Sequence, residues 1–128
     1  MRILIVENEP SDAELLSIIV KHAGYEPLMA QNGAEALSRV REGNIGLILM
    51  DWMMPVMDGL TATRKLKEDP ATAEIPVIAV TAMRRASPML EGGASAVLPK
   101  PFTRRSLLET LAPFLPLPPG PASCDKGD

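Results

Sequence analysis

An α/β fold built on a doubly wound, five-stranded parallel sheet is what this chain predicts, on three observations. Strand-like and helix-like signals alternate five times along its 128 residues, the pattern of parallel strands joined by helical crossovers. The runs Ile3-Leu4-Ile5-Val6, Leu47-Ile48-Leu49-Met50, Val77-Ile78-Ala79-Val80 and Ala96-Val97-Leu98 are continuously apolar, as strands buried on both faces must be. Each run ends abruptly in polar residues: Glu7-Asn8-Glu9, Asp51, Thr81 and Pro99-Lys100-Pro101. In open parallel sheets, ligands sit outside the carboxyl ends of the strands, so these residues are the first candidates for chemistry.

The elements follow in order. After Val6, Ser11-Asp12-Ala13-Glu14 behind Pro10 has the form of a capping box. Leu15, Leu16, Ile19, Val20 and Ala23 then recur at helical spacing as an inward face, with Gly24 as the stop. Glu26 to Ala30 is the weakest strand, and Pro27 marks it as an edge strand. Asn32-Gly33-Ala34-Glu35 opens a second helix with Ala36, Leu37 and Val40 inward and Gly43 at its end. A third helix runs from Leu60 to Glu68 and is stopped by Asp69-Pro70. Thr103 caps the last helix, with Leu107, Leu108, Leu111 and Ala112 on one face. From Pro116 the chain is rich in proline and unable to pack a core, so residues 116–128 read as a disordered tail or linker behind a domain spanning 1–115.

Composition narrows the function classes. A net charge of -3 with a pI near 5.2 gives no support to a nucleic-acid-binding surface. The single cysteine, Cys124, leaves no internal disulfide to form, and a reducing compartment is the default. No apolar stretch approaches the roughly 20 residues that span a bilayer, and the chain enters a strand by residue 3 without a signal-like leader. The expectation is a cytoplasmic protein with no membrane or nucleic-acid partner.

Four blocks, Ile3-Leu4-Ile5-Val6-Glu7, Leu49 to Gly59, Val80-Thr81-Ala82 and Pro99-Lys100-Pro101-Phe102, resemble in order the signature blocks of a response-regulator receiver domain of the single-domain type, over about residues 2 to 115. The Asp51–Gly59 and Lys100–Phe102 blocks are specific in combination, whereas Thr81-Ala82 alone is weak. The resemblance implies a flavodoxin-like sheet of order 2-1-3-4-5, which right-handed crossovers also permit. It makes Asp51 the phosphoacceptor, with Thr81 and Lys100 contacting the phosphoryl oxygens and a cis Lys100-Pro101 bond. It assigns Mg²⁺ to Glu7, Asn8, Asp51 and the backbone carbonyl of Met53. Taken singly, these residues have blander readings: Thr81 as packing at a strand end, Asn8 as a cap for the first helix. His22 and Tyr25, far from that edge, read as structural or surface, and the methionines as core filling.

Three departures matter. Asn8 stands where receivers usually carry a metal-ligating aspartate, so one full negative charge is missing from a site of hard anionic oxygens. Val97 occupies the switch-aromatic position, three residues before the lysine. The stretch from Thr81 to Lys100 is also about one helical turn shorter than usual.

Two functions are thereby weighed. The first is a phosphorelay module that accepts a phosphoryl group from a histidine kinase or histidine phosphotransfer protein. It would regulate a protein partner through the fourth helix, fifth strand and fifth helix, and would not be an enzyme beyond self-phosphotransfer and autodephosphorylation. The alternative is a pseudo-receiver, an interaction module acting without phosphorylation. A nucleotide-binding enzyme of similar fold would need a glycine-rich phosphate loop, which this sequence lacks.

Pro88, Gly92 and Gly93 make residues 84–93 a poor fourth helix, since an interior proline costs about 3 kcal/mol and a glycine about 1. With Val97 unable to swing as an aromatic would, phosphorylation is expected to act by ordering a short, irregular or mobile segment here. Hydrogen exchange should therefore show protection across 84–93 with beryllofluoride and little without it. A well-protected regular helix in the unmodified protein would contradict this mechanism.

Overall fold

Five apolar runs pair in parallel in the computed structural model, which describes residues 2–51, 59–82 and 93–114. The strands are β1 (Arg2–Val6), β2 (Glu26–Ala30), β3 (Ile45–Asp51), β4 (Val77–Thr81) and β5 (Ala96–Pro99), in the order β2-β1-β3-β4-β5. Glu26–Ala30, with Pro27, is indeed an edge strand. The helices are α1 (Pro10–His22), α2 (Gly33–Arg41), α3 (Gly59–Glu68) and α4 (Arg104–Leu111), and a single 3₁₀ turn, Ala112–Phe114, follows. Here α4 is the fifth helix of the sequence expectation. The fourth, expected across 84–93, lies outside the described residues but for Gly93, as do the carbonyl of Met53 and the tail 116–128.

Strand alternation divides the core in two. Leu4, Val6, Ile48, Met50, Val77 and Ala79 face Ala36 and Val40 of α2 and Ala62 and Leu66 of α3. Ile3, Ile5, Leu47, Leu49, Ile78, Val80 and Leu98 face Leu16, Ile19 and Val20 of α1 and Leu107 and Leu111 of α4. The central strands are thus covered on both sides, which is why, past Arg2, their sequences carry no polar residue before the carboxyl edge of the sheet. Tyr25 is buried in the second cluster and His22 is exposed.

Local signals account for most helix ends. Asn32 caps α2 by accepting from the Glu35 N–H at 2.8 Å, and Gly43 follows with φ +91°. Thr103 and Ser106 form a reciprocal capping box at α4. The box expected at Ser11-Asp12-Ala13-Glu14 does not form. The helix begins two residues earlier, at Pro10, with Glu9 rather than Ser11 as N-cap and no side-chain cap bond. Proline at the first position carries a preset φ and no N–H to satisfy, which places Ser11 inside the helix. Leu15 is also not inward but 43% exposed. Ala13, Leu16, Ile19 and Val20 fill the buried stripe, and Leu15 lies one step round the helix from it. Ala112 is exposed too, because the chain tightens into the 3₁₀ turn there.

One lysine is structural. Lys67 Nζ donates to the carbonyls of Ala73 and Ile75 at 3.0 and 2.9 Å, holding the loop between α3 and β4. Burial pushes its ammonium below the usual lysine range. Its stem passes under Gly93, where a β-carbon would meet Lys67 Cγ at 3.0 Å and where φ is +113°. Gly93 is therefore required twice over, by conformation and by close approach, at the entry to β5.

Candidate functional site

Parallel pairing sets Val6 opposite Met50, Asp51 opposite Val80 and Thr81 opposite Pro99. Glu7, Asp51, Thr81 and Lys100, the residues at or just past these ends, are therefore brought to one edge of the sheet. Glu7, Asp51 and Thr81 are all buried. By alternation, Glu7, Asp51 and Lys100 continue the face covered by α1 and α4, whereas Thr81 continues the opposite face. Val97 lies on that opposite face as well, packed against the α2–α3 cluster. A backbone bond ties the two strands at the edge, the Lys100 N–H donating to the Thr81 carbonyl at 2.8 Å. The Lys100-Pro101 bond is cis.

Lys100 is the electrostatic centre. Among the described residues three carboxylates lie within ion-pair range of its Nζ: Asp12 Oδ2 at 3.1 Å, Glu7 Oε1 at 3.3 Å and Asp51 Oδ1 at 3.8 Å. Burial alone would lower the ammonium's pKa, but the hydrogen bond to Asp12 and the charges of Asp51, Glu7 and Asp12 outweigh it and hold it above the usual lysine range. Glu7 responds in the opposite sense for a carboxyl. Burial, a hydrogen bond with the Asp51 carboxyl and the Asp51 charge push it from 4.5 up to about 7, against the opposing pull of Lys100 and the Glu9 N–H. That N–H donates to Glu7 Oε2 at 3.2 Å. Glu7 Oε1 is buried in ion-pair range of Lys100 yet hydrogen-bonded to nothing among the described residues.

Asn8 is exposed, next in the chain to the buried Glu7. Among the described residues no three His, Cys, Asp or Glu side chains are arranged to hold a metal ion. The oxygens that converge are the Glu7 and Asp51 carboxylates, to which the Asn8 amide and the Met53 carbonyl would have to add. Two crowded carboxylates, one carrying an oxygen without a hydrogen bond, form a donor set suited to a hard cation. Also among the described residues, no helix is long and apolar enough to cross a membrane.

Asp12 is the site residue that sequence reasoning missed. It was assigned to a capping box, but with the helix starting at Pro10 it sits in the first turn of α1 and reaches Lys100. The available signal was position: a carboxylate one turn into the helix that follows the Glu7 strand faces the same edge.

Comparison with known proteins gives a family match. The family described as response regulator receiver domain matches residues 3–112. The phosphate regulon transcriptional regulatory protein PhoB of Pseudomonas aeruginosa is 36% identical over 88% of this chain, which spans about half (51%) of that protein's length. The polar-differentiation response regulator DivK of Brucella anthropi is 36% identical, with 88% of this chain and 94% of that protein aligned. Among solved structures, the receiver domain of sensor histidine kinase PA1611 from Pseudomonas aeruginosa superposes with a TM-score of 0.82 at 29% identity, covering 88% of this chain and 95% of that one. That structure has a magnesium ion coordinated in its active-site cleft.

The raised Glu7 pKa carries a pH signature. The native state holds this proton more tightly than the unfolded chain, so the group's contribution to stability is full below about 4.5 and is lost as pH rises through about 7. Glu7→Gln, which keeps a neutral side chain at every pH, should therefore gain in Tm relative to the wild type as pH is raised from 4.5 to 7.5. Thermal melts across that range check this; a difference that does not vary with pH would mean that Glu7 does not titrate there.

Proposed function

The chain belongs to the response-regulator receiver family, and we propose that it is a phosphoacceptor signalling module of a two-component phosphorelay. Receivers of this family are phosphorylated and signal to a protein partner, acting as phosphoacceptors rather than conventional enzymes. In this reading a carboxylate oxygen of Asp51 attacks the phosphorus of a phosphohistidine on a histidine kinase or histidine phosphotransfer protein. The P–N bond breaks, the imidazole nitrogen leaves with the electron pair and takes up a proton, and an acyl phosphate forms on Asp51. Lys100 pairs with one phosphoryl oxygen and the Thr81 hydroxyl donates to another. The observation that carries the reading is the meeting of Asp51, Glu7 and Lys100, from three separate strand ends, around one ammonium.

Mg²⁺ is the cofactor this reading requires, held by Glu7, Asn8, Asp51 and the backbone carbonyl of Met53. When bound it neutralises charge on the phosphoryl oxygens. The buried Glu7 oxygen without a hydrogen bond and the crowding of Glu7 against Asp51 support a cation there, as does the magnesium in the PA1611 receiver. Asn8 would contribute an amide oxygen instead of a carboxylate, which takes one full charge from the site.

We take residues 1–115 as the receiver domain and 116–128 as a proline-rich tail or linker, working in the cytoplasm. Output would pass through residues 84–93, β5 and α4 to a protein partner. One observation favours the pseudo-receiver reading: Asn8 gives up a charge at an edge where Lys100 lies in ion-pair range of Glu7, Asp12 and Asp51.

Incubation with acetyl phosphate and Mg²⁺, followed by intact mass, should show one added phosphate that is absent in Asp51→Asn. No adduct on the wild type would favour the pseudo-receiver, and undiminished labelling of Asp51→Asn would remove Asp51 as the acceptor. A titration of Trp52 emission with Mg²⁺ should show tighter binding by Asn8→Asp, by about tenfold if one full carboxylate is restored. Equal affinity in the wild type would mean that the amide is no handicap and would take away the main support for the pseudo-receiver.

A further inference from the structure

We propose that Asp12 is a positioning residue of this site: it holds the Lys100 ammonium while Asp51 is unmodified and surrenders it when a phosphoryl group arrives. This rests on the reading of Asp51 as phosphoacceptor and Lys100 as its phosphoryl contact.

The distances set the starting state. Lys100 Nζ lies nearer to Asp12, at 3.1 Å, than to Glu7, at 3.3 Å, or Asp51, at 3.8 Å. An ammonium has three N–H donors, and three carboxylates already lie around it. A phosphoryl group on Asp51 sets further oxygens beside an ammonium that now lies nearer to Asp12 and Glu7 than to Asp51, so drawing it toward Asp51 lengthens one of those two contacts.

Burial decides which one. The Glu7 and Asp51 side chains are 1% and 6% exposed, whereas that of Asp12 is 34% exposed. A buried carboxylate left without its cation pays the full desolvation penalty, while a carboxylate open to water is rehydrated. Asp12 is also in the first turn of α1, where the exposed N–H groups of the helix favour a negative charge with or without a lysine. It is therefore the partner that can be given up at least cost. The ammonium then moves toward Asp51 from a contact anchored on a different element, α1, and every phosphoryl contact is weakened by the stability of the contact released.

The test is the affinity for beryllofluoride with Mg²⁺, read from Trp52 emission, in the full chain. Asp12→Asn and Asp12→Ser should bind about three- to fivefold more tightly than the wild type, the range expected for a partly exposed ion pair. Asp12→Glu, which keeps the carboxylate, should restore wild-type affinity. In a Lys100→Ala background the gain from Asp12→Asn should vanish, because the effect passes through the ammonium. Glu9→Gln, which removes an exposed carboxylate outside the Lys100 cluster, should change affinity by less than about 1.5-fold at moderate salt. Unchanged or weaker binding by both Asp12 variants overturns the inference. So does a gain that survives in Lys100→Ala, or an equal gain from Glu9→Gln, since either would reduce the effect to general charge. Failure of the wild type to bind beryllofluoride would instead overturn the assignment of Asp51, and this inference with it.

Discussion

Much of this molecule's architecture converges on a single ammonium. Lys100 enters from the end of β5 and meets carboxylates from the ends of β1 and β3 and from the first turn of α1. Two of those carboxylates are buried, and a pair of buried negative charges has no stable arrangement without a compensating positive one or a proton. The lysine supplies the first directly, and burial beside Asp51 raises the Glu7 carboxyl toward the second. The sheet makes this possible because its central strands run apolar to their last residue, so the first polar groups are held in a dry, fixed setting.

The alternation of the strands sorts that edge into two sides. Glu7, Asp51 and Lys100 belong with α1 and α4, while Thr81 and Val97 belong with α2 and α3. The charged groups are thus arranged on one side of the sheet and the hydroxyl on the other, with β4 and β5 joined at their ends by the bond from the Lys100 N–H to the Thr81 carbonyl. Val97, on the second side, packs partly buried against the α2–α3 cluster.

The strands were legible because burial on both faces leaves an unbroken apolar signature, and their polar last residues were legible for the same reason. The edge position of Glu26–Ala30 followed from Pro27, and the caps at Asn32 and Thr103 from local chemistry that depends on neighbours three residues away. Where local signals competed, sequence misled. Pro10 overrode the Ser11-to-Glu14 pattern by starting the helix earlier, and Leu15 looked inward because a leucine beside a leucine gives no clue as to which one the stripe selects. Asp12 was passed over for a different reason: its position pointed to the edge, but its partner Lys100 is met only through the packing of α1 over the sheet. Strand order leaned on resemblance more than on pattern.

β5 is only four residues long, Ala96–Pro99, and is fastened at both extremities. At its exit Lys100 is bound to Thr81, and at its entry Gly93 lies directly on the stem of Lys67. A strand slipped by a single residue presents every side chain to the wrong side of its sheet. For β5 such a slip would carry Lys100 away from Glu7 and Asp51 altogether. The bonds at its two ends, Ser95 N–H to the Val77 carbonyl at 2.7 Å and Lys100 N–H to the Thr81 carbonyl at 2.8 Å, thus fix the phase of the strand and the side of the sheet on which the ammonium emerges. Glycine at 93 lets the chain turn in over Lys67.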